Sequence, residues 1–169
     1  FASTDPGDLF VSRSVGNIVP PHGVTDGETA AVEFAVRSLA VDDIIVCGHS
    51  GCGAMAALAA GRGRTRVPGL SGWLAHAEAA RGILAGSDRL GRGLPAVDRL
   101  GQANVLAQLG HLETFPSVRR AVAAGRLRLH GWWFDLARAE VHAYEPAWGR
   151  FVPVDDAEAA RIAARLPPI

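Results

Sequence analysis

The clearest pattern along the chain is the unbroken apolar run Ile44-Ile45-Val46-Cys47, which follows Asp43 and stops at Gly48. Continuous apolarity of this length predicts a strand covered on both faces, as in a parallel sheet. Upstream, Ala30, Val32, Phe34, Ala35, Val36 and Leu39 recur at helical spacing and predict a helix over 26–39. Thr25 and Glu28 stand at capping-box spacing before it. Leu9-Phe10-Val11 follows a polar turn at Asp5-Pro6-Gly7 and predicts a short strand ending near Arg13. Downstream of the apolar run, Gly48, Gly51 and Gly53 break the chain, and 54–60 is rich in good helix formers.

The same patterning predicts helices over 73–84 and 96–115, and a further one from Pro116 that ends at Gly125. Loops are expected over 61–72, which carries Arg62, Arg64 and Arg66, and over 86–95. Leu127 and Leu129 alternate with Arg128 and His130 and run on into Trp132-Trp133-Phe134, predicting a strand. Val141 to Tyr144 and Phe151-Val152 predict two more. Asp155 or Asp156 caps a last helix, which Pro167-Pro168 stops. No repeat or boundary interrupts the series, so 1–169 reads as a single α/β domain, with 155–169 as a C-terminal helical extension.

Composition narrows the function. Lys plus Arg and Asp plus Glu each number 17, so the formal charge is zero. That balance argues against a broad basic nucleic-acid surface and against an acidic tail. No run approaches the 18 apolar residues of a transmembrane helix, and no signal peptide is visible after Phe1. The two cysteines, Cys47 and Cys52, lie too close together for a secreted disulfide framework, so their spacing points to chemistry.

That chemistry centres on Cys47-Gly48-His49-Ser50-Gly51-Cys52-Gly53, a glycine-rich corner between a strand and a helix. Imidazole and thiolate are good zinc donors, and such a corner can turn His49 and Cys52 toward one point. Cys47 belongs to the strand and reads as a packed residue. Local spacing alone leaves other readings open: a redox or nucleophilic Cys52, or simple packing. A nucleotide loop is disfavoured, because the segment is neither GxGxxG nor GxxxxGK[ST]. Trp132 and Trp133 are expected in a core or a subunit interface.

Beyond this loop, the sequence resembles the β-class carbonic anhydrases. The likeness covers Asp5-Pro6-Gly7-Asp8-Leu9-Phe10-Val11, Arg13-Ser14-Val15-Gly16-Asn17-Ile18-Val19-Pro20 and the loop extended through Ala54-Met55. It continues through Asn104-Val105 with Gln108, Pro116-Ser117-Val118, and Leu129-His130-Gly131-Trp132 with Asp135, spanning about 4–154. The resemblance implies a central, mainly parallel β-sheet flanked by helices. It also implies zinc-dependent reversible hydration of carbon dioxide to bicarbonate and a proton, through zinc-bound hydroxide. By the same likeness His49 and Cys52 are metal ligands, and Arg13 contributes to an anion pocket that binds bicarbonate in some members. Phe34 stands where those members carry a tyrosine, which weakens the case for such regulation.

The family's third ligand comes from an upstream Cys-x-Asp-x-Arg motif, whose aspartate also aims the nucleophile. That motif would fall before Asp5, where only Phe1-Ala2-Ser3-Thr4 stands. The sheet is therefore expected to be incomplete at its N-terminal side, with the remainder in a preceding or separate piece of the same protein. The alternative expectation is a catalytically silent binding or assembly domain of the same fold. A homodimer or larger oligomer and a cytoplasmic location complete what the resemblance implies.

Overall fold

The computed structural model describes residues 4–61 and 65–164. Helix α1 (Gly27–Arg37) leads into strand β1 (Asp43–His49), and helix α2 (Gly53–Ala60) follows the glycine-rich corner. Helices α3 (Pro68–Trp73), α4 (Ala79–Ala85), α5 (Ala96–Leu112) and α6 (Pro116–Ala123) come next. Strands β2 (Arg128–Asp135), β3 (Glu140–Glu145) and β4 (Arg150–Pro153) precede helix α7 (Asp156–Ala163). The strands form one four-stranded sheet in the order β1-β2-β3-β4. β1 pairs parallel with β2, and the β2–β3 and β3–β4 pairs are antiparallel. The α/β architecture is as expected, but among the described strands the sheet is mixed, with one parallel and two antiparallel pairings, not mainly parallel, because β2, β3 and β4 are joined by tight turns.

Register follows from chemistry at the start of the parallel pair. Asp43 faces Arg128 and accepts two hydrogen bonds of 2.6 Å from its guanidinium, plus one of 2.7 Å from His130 Nε2. The Arg128 hydrogen bonds hold the Asp43 carboxyl below its ordinary range, against an opposing effect of burial. The core is the layer between this sheet and the helices, with Val46, Met55, Leu58, Val105, Leu112, Val118 and Trp133 among its buried members.

Helix α5 is the central pillar, and it buries the polar side chains of Gln102, Asn104 and Gln108 along with apolar ones. Asn104 and Gln108 are fully buried because each is satisfied. Asn104 Nδ2 donates to the Gly16 carbonyl at 2.8 Å, Gln108 Nε2 donates to Asn104 Oδ1 at 2.9 Å, and the Val19 amide donates to Gln108 Oε1 at 3.0 Å. These bonds fasten the segment around Gly16 to Val19 onto α5.

Several sequence expectations need correction. The segment Leu9-Phe10-Val11 is not a strand: it is irregular and half-exposed, and no described strand pairs with it. An extended segment without a partner leaves its backbone polar groups to water. The capping box of α1 falls one residue later than Thr25 and Glu28. Asp26 accepts from the Thr29 amide and Thr29 Oγ1 accepts from the Asp26 amide, the carboxylate being the better cap. Helix formation begins at Pro68, not Trp73, because Pro68 takes the first helical position, where its missing N–H costs nothing. A 3-10 turn over Leu74–Ala77 then separates α3 from α4. β1 is also less covered than continuous apolarity implied. It pairs with β2 alone among the described strands, and Ile45 is 41% exposed. The expected loop residues Arg62 and Arg64, and the helix stop at Pro167-Pro168, lie outside the described residues.

Candidate metal centre

β1 runs two residues past its apolar stretch, so Gly48 and His49 are still in register with Trp133 and Phe134 of β2. Gly48 is required there by close approach: a Cβ at that position would stand 2.9 Å from Val105 Cγ2 on α5. His49 thus emerges at the last position of the strand, exposed, at the C-terminal end of the parallel pair. This is where open α/β sheets place their ligand sites.

The His49 ring is oriented by its own loop. Nδ1 lies 2.9 Å from the Ser50 carbonyl oxygen. A carbonyl only accepts, so the bond assigns the proton to Nδ1 and leaves the Nε2 lone pair available to a metal. Cys52 follows at the N-cap of α2, buried at 5% exposure, and its side chain makes no capping hydrogen bond. Its sulfur is therefore not consumed in closing the helix.

The loop between the two donors is fastened at three points. The Ser50 amide donates to the Phe134 carbonyl at 2.9 Å, and Ser50 Oγ accepts from the Leu136 amide at 2.9 Å. Gly51, in the left-handed region at φ 64, donates its amide to Asp98 Oδ1 at 2.7 Å. Asp135 stabilises the turn on which Leu136 sits. Its carboxylate accepts from the Ala137 and Arg138 amides and from Arg138 Nη1 at 2.8 Å. The Arg138 guanidinium holds this carboxyl below its usual range.

Sequence reasoning did not single out Ser50 or Asp98. Ser50 is adjacent to a ligand candidate, but its partners lie on β2 and the following turn. Asp98 reads in sequence as an acidic residue in the first turn of a helix, where it needs no further explanation.

Other predicted residues fall elsewhere. Cys47 is half-buried on β1, and burial pushes its thiol up, which keeps it protonated and inert. Trp133 is buried in the core as expected. Arg13 is exposed in the irregular segment and makes no ion pair with any described residue. Phe10 and Phe34 pack with ring centroids 5.8 Å apart, and both remain about half-exposed.

Tested against zinc, the donors fit in kind but fall short in number. An imidazole nitrogen and a thiolate suit the ion, yet a catalytic zinc takes three protein ligands. Among the described residues no group of three His, Cys, Asp or Glu side chains could hold a metal. His49 and Cys52 supply two donors of a suitable kind.

Fold and loop together define an α/β protein with imidazole and thiol donors at the C-terminal end of its parallel strands. The sequence model of the family described as "Carbonic anhydrase" matches residues 1–141. A carbonic anhydrase of Pseudomonas aeruginosa is 46% identical over 149 residues, an alignment covering 88% of this chain and 67% of that protein. Carbonic anhydrase 1 of Escherichia coli O157:H7 is 44% identical over 144 residues, covering 84% of this chain and 65% of that protein. The solved structure of the β-carbonic anhydrase CcaA superposes with a TM-score of 0.80 at 37% identity, covering 90% of this chain and 70% of that one. The chain belongs to the β-class carbonic anhydrase family. It spans about two thirds of the length of these relatives.

Proposed function

We propose that this chain carries two of the zinc ligands of an enzyme that reversibly hydrates carbon dioxide to bicarbonate and a proton. The observation that carries the reading is the pairing of donors in a chain of this family. His49 is held as the tautomer that leaves Nε2 unprotonated, and Cys52 has a sulfur uncommitted to its helix. His49 closes β1, and Cys52 caps the start of α2 just beyond it. When bound, zinc supplies the Lewis acidity that makes water a nucleophile near neutral pH. The Ser50 carbonyl fixes the His49 ring, Asp98 fixes the Gly51 backbone, and Ser50 ties the loop to β2. The loop therefore keeps its shape without help from the ion, which lowers the ordering cost of binding it. In this reading a third protein donor completes the set that a catalytic zinc requires.

Arg13, exposed and without an ion pair among the described residues, is the candidate to attract bicarbonate. Self-association belongs to the same reading. Leu9, Phe10, Val11 and Phe34 are each about half-exposed or more, an apolar surface that a second copy of the chain would bury.

Stopped-flow hydration of carbon dioxide by the complete zinc-loaded protein tests the reading. Turnover should be abolished by chelation and restored by zinc, and His49→Ala should lower it by at least about a hundredfold, as expected for loss of a ligand to an essential metal. A zinc-loaded protein with no hydration activity would favour the silent assembly domain instead.

A further inference from the structure

A second site lies at the other end of the sheet from the candidate metal loop. A cavity of about 290 Å³ opens between the C-terminal end of α1 and helix α6, lined by Val36, Arg37, Ser117, Arg120, Ala121 and Arg126. Arg126 stands just before β2 begins, whereas His49 faces Phe134 near the end of that strand. Because β1 and β2 run parallel, the cavity and the metal loop occupy opposite ends of the pair.

The chemistry of this cavity is lopsided. Its lining carries three guanidinium groups and no carboxylate. Arg37 has one partner, Glu33 at 3.6 Å, in a pair whose side chains are 63% and 40% exposed and which is therefore weak. The side chains of Arg120 and Arg126 have no hydrogen-bond or carboxylate partner among the described residues. Ser117 supplies the independent observation. It is only 8% exposed, and its hydroxyl is buried without any hydrogen-bond partner. A buried hydroxyl left unpaired is costly, and native proteins satisfy nearly all such groups. Two unpaired guanidinium groups, a third held only by a weak exposed pair, and an unsatisfied hydroxyl donor form a cradle for an oxyanion.

We propose that this cavity binds a doubly charged phosphate group, either as the free ion or carried on a small phosphate monoester. Guanidinium forks match phosphate oxygens bidentately, and charge-assisted hydrogen bonds of this kind are about twice as strong as neutral ones. The Ser117 hydroxyl then donates to a phosphate oxygen. The site is distinct from Arg13, which lies in the irregular segment before α1 and does not line the cavity.

Calorimetric titration of the purified complete protein at low ionic strength, with inorganic phosphate in one arm and glycerol 3-phosphate in the other, tests the assignment. Saturable binding of at least one probe is expected, with a dissociation constant of about 1 mM or tighter. The arm that binds more tightly identifies the free ion or the monoester as the preferred form. The exposed double substitution Arg120→Gln/Arg126→Gln should weaken binding by about tenfold or more, and Ser117→Ala by a few-fold. Arg119→Gln, on the same helix but outside the cavity, and Arg13→Gln should leave binding unchanged. The proposal is overturned if neither probe saturates by about 10 mM, about ten times that constant. Wild-type affinity in the double variant, or equal weakening by Arg119→Gln, overturns it as well.

Discussion

The Asp98 carboxylate reaches from the first turn of α5 to the Gly51 amide at 2.7 Å, between the two candidate ligands. Gly51 can present that amide because it occupies the left-handed region, which costs glycine little. Outer groups of this kind orient metal ligands, and losing one commonly weakens metal binding about 10- to 100-fold. Asp98→Ala should therefore weaken zinc binding by that factor in a chelator competition, while Cys47→Ser leaves it unchanged. Equal affinities for wild type and Asp98→Ala would remove Asp98 from the positioning role. His49 and Cys52 could be named as candidate donors because residue type and spacing are local properties, although only the family resemblance singled them out as ligands. Asp98 could not, because its role depends on a backbone amide that becomes its neighbour only when α5 packs beside β1.

Strand β3 carries a histidine whose environment makes folding sensitive to pH. His142 packs edge-on to Trp133, with ring centroids 5.5 Å apart, and its Nε2 is buried without a hydrogen bond. Burial pulls its pKa below the ordinary value. The carboxylates of Glu140, 3.7 Å away, and of Asp135 oppose the shift, and Arg138 adds to it. With the folded value depressed, the unfolded chain takes up the proton first. The contribution is complete above about pH 6.5, the ordinary histidine value, and stability declines as pH falls below it toward the folded value. Denaturant melts at pH 7.5 and 5.5 should show wild type losing more stability than His142→Gln. Identical losses would contradict the assignment. Most elements were legible from periodicity, including α5, α6 and the three strands from β2 onward. Leu9 to Val11 was not, because an apolar triplet specifies a strand only where a neighbouring strand completes its hydrogen bonds.

At the scale of the molecule, the sheet sets two candidate sites apart by direction: the metal loop at the end of β1, the arginine cavity near the start of β2. A net charge of zero concealed that cavity, since Arg37, Arg120 and Arg126 are scattered in sequence and converge only when α1 packs on α6. The sequence likewise indicated an α/β fold, but the exposure of β1 depends on what lies beside it, and composition does not encode that. In the proposed function His49 and Cys52 hold zinc and Cys47 does not. Zinc content per chain, measured on the complete protein and three variants, tests it most directly. About one zinc per chain is expected in wild type and Cys47→Ser, and strong loss in His49→Ala and Cys52→Ser. Full zinc occupancy in either of the latter two variants would contradict the account.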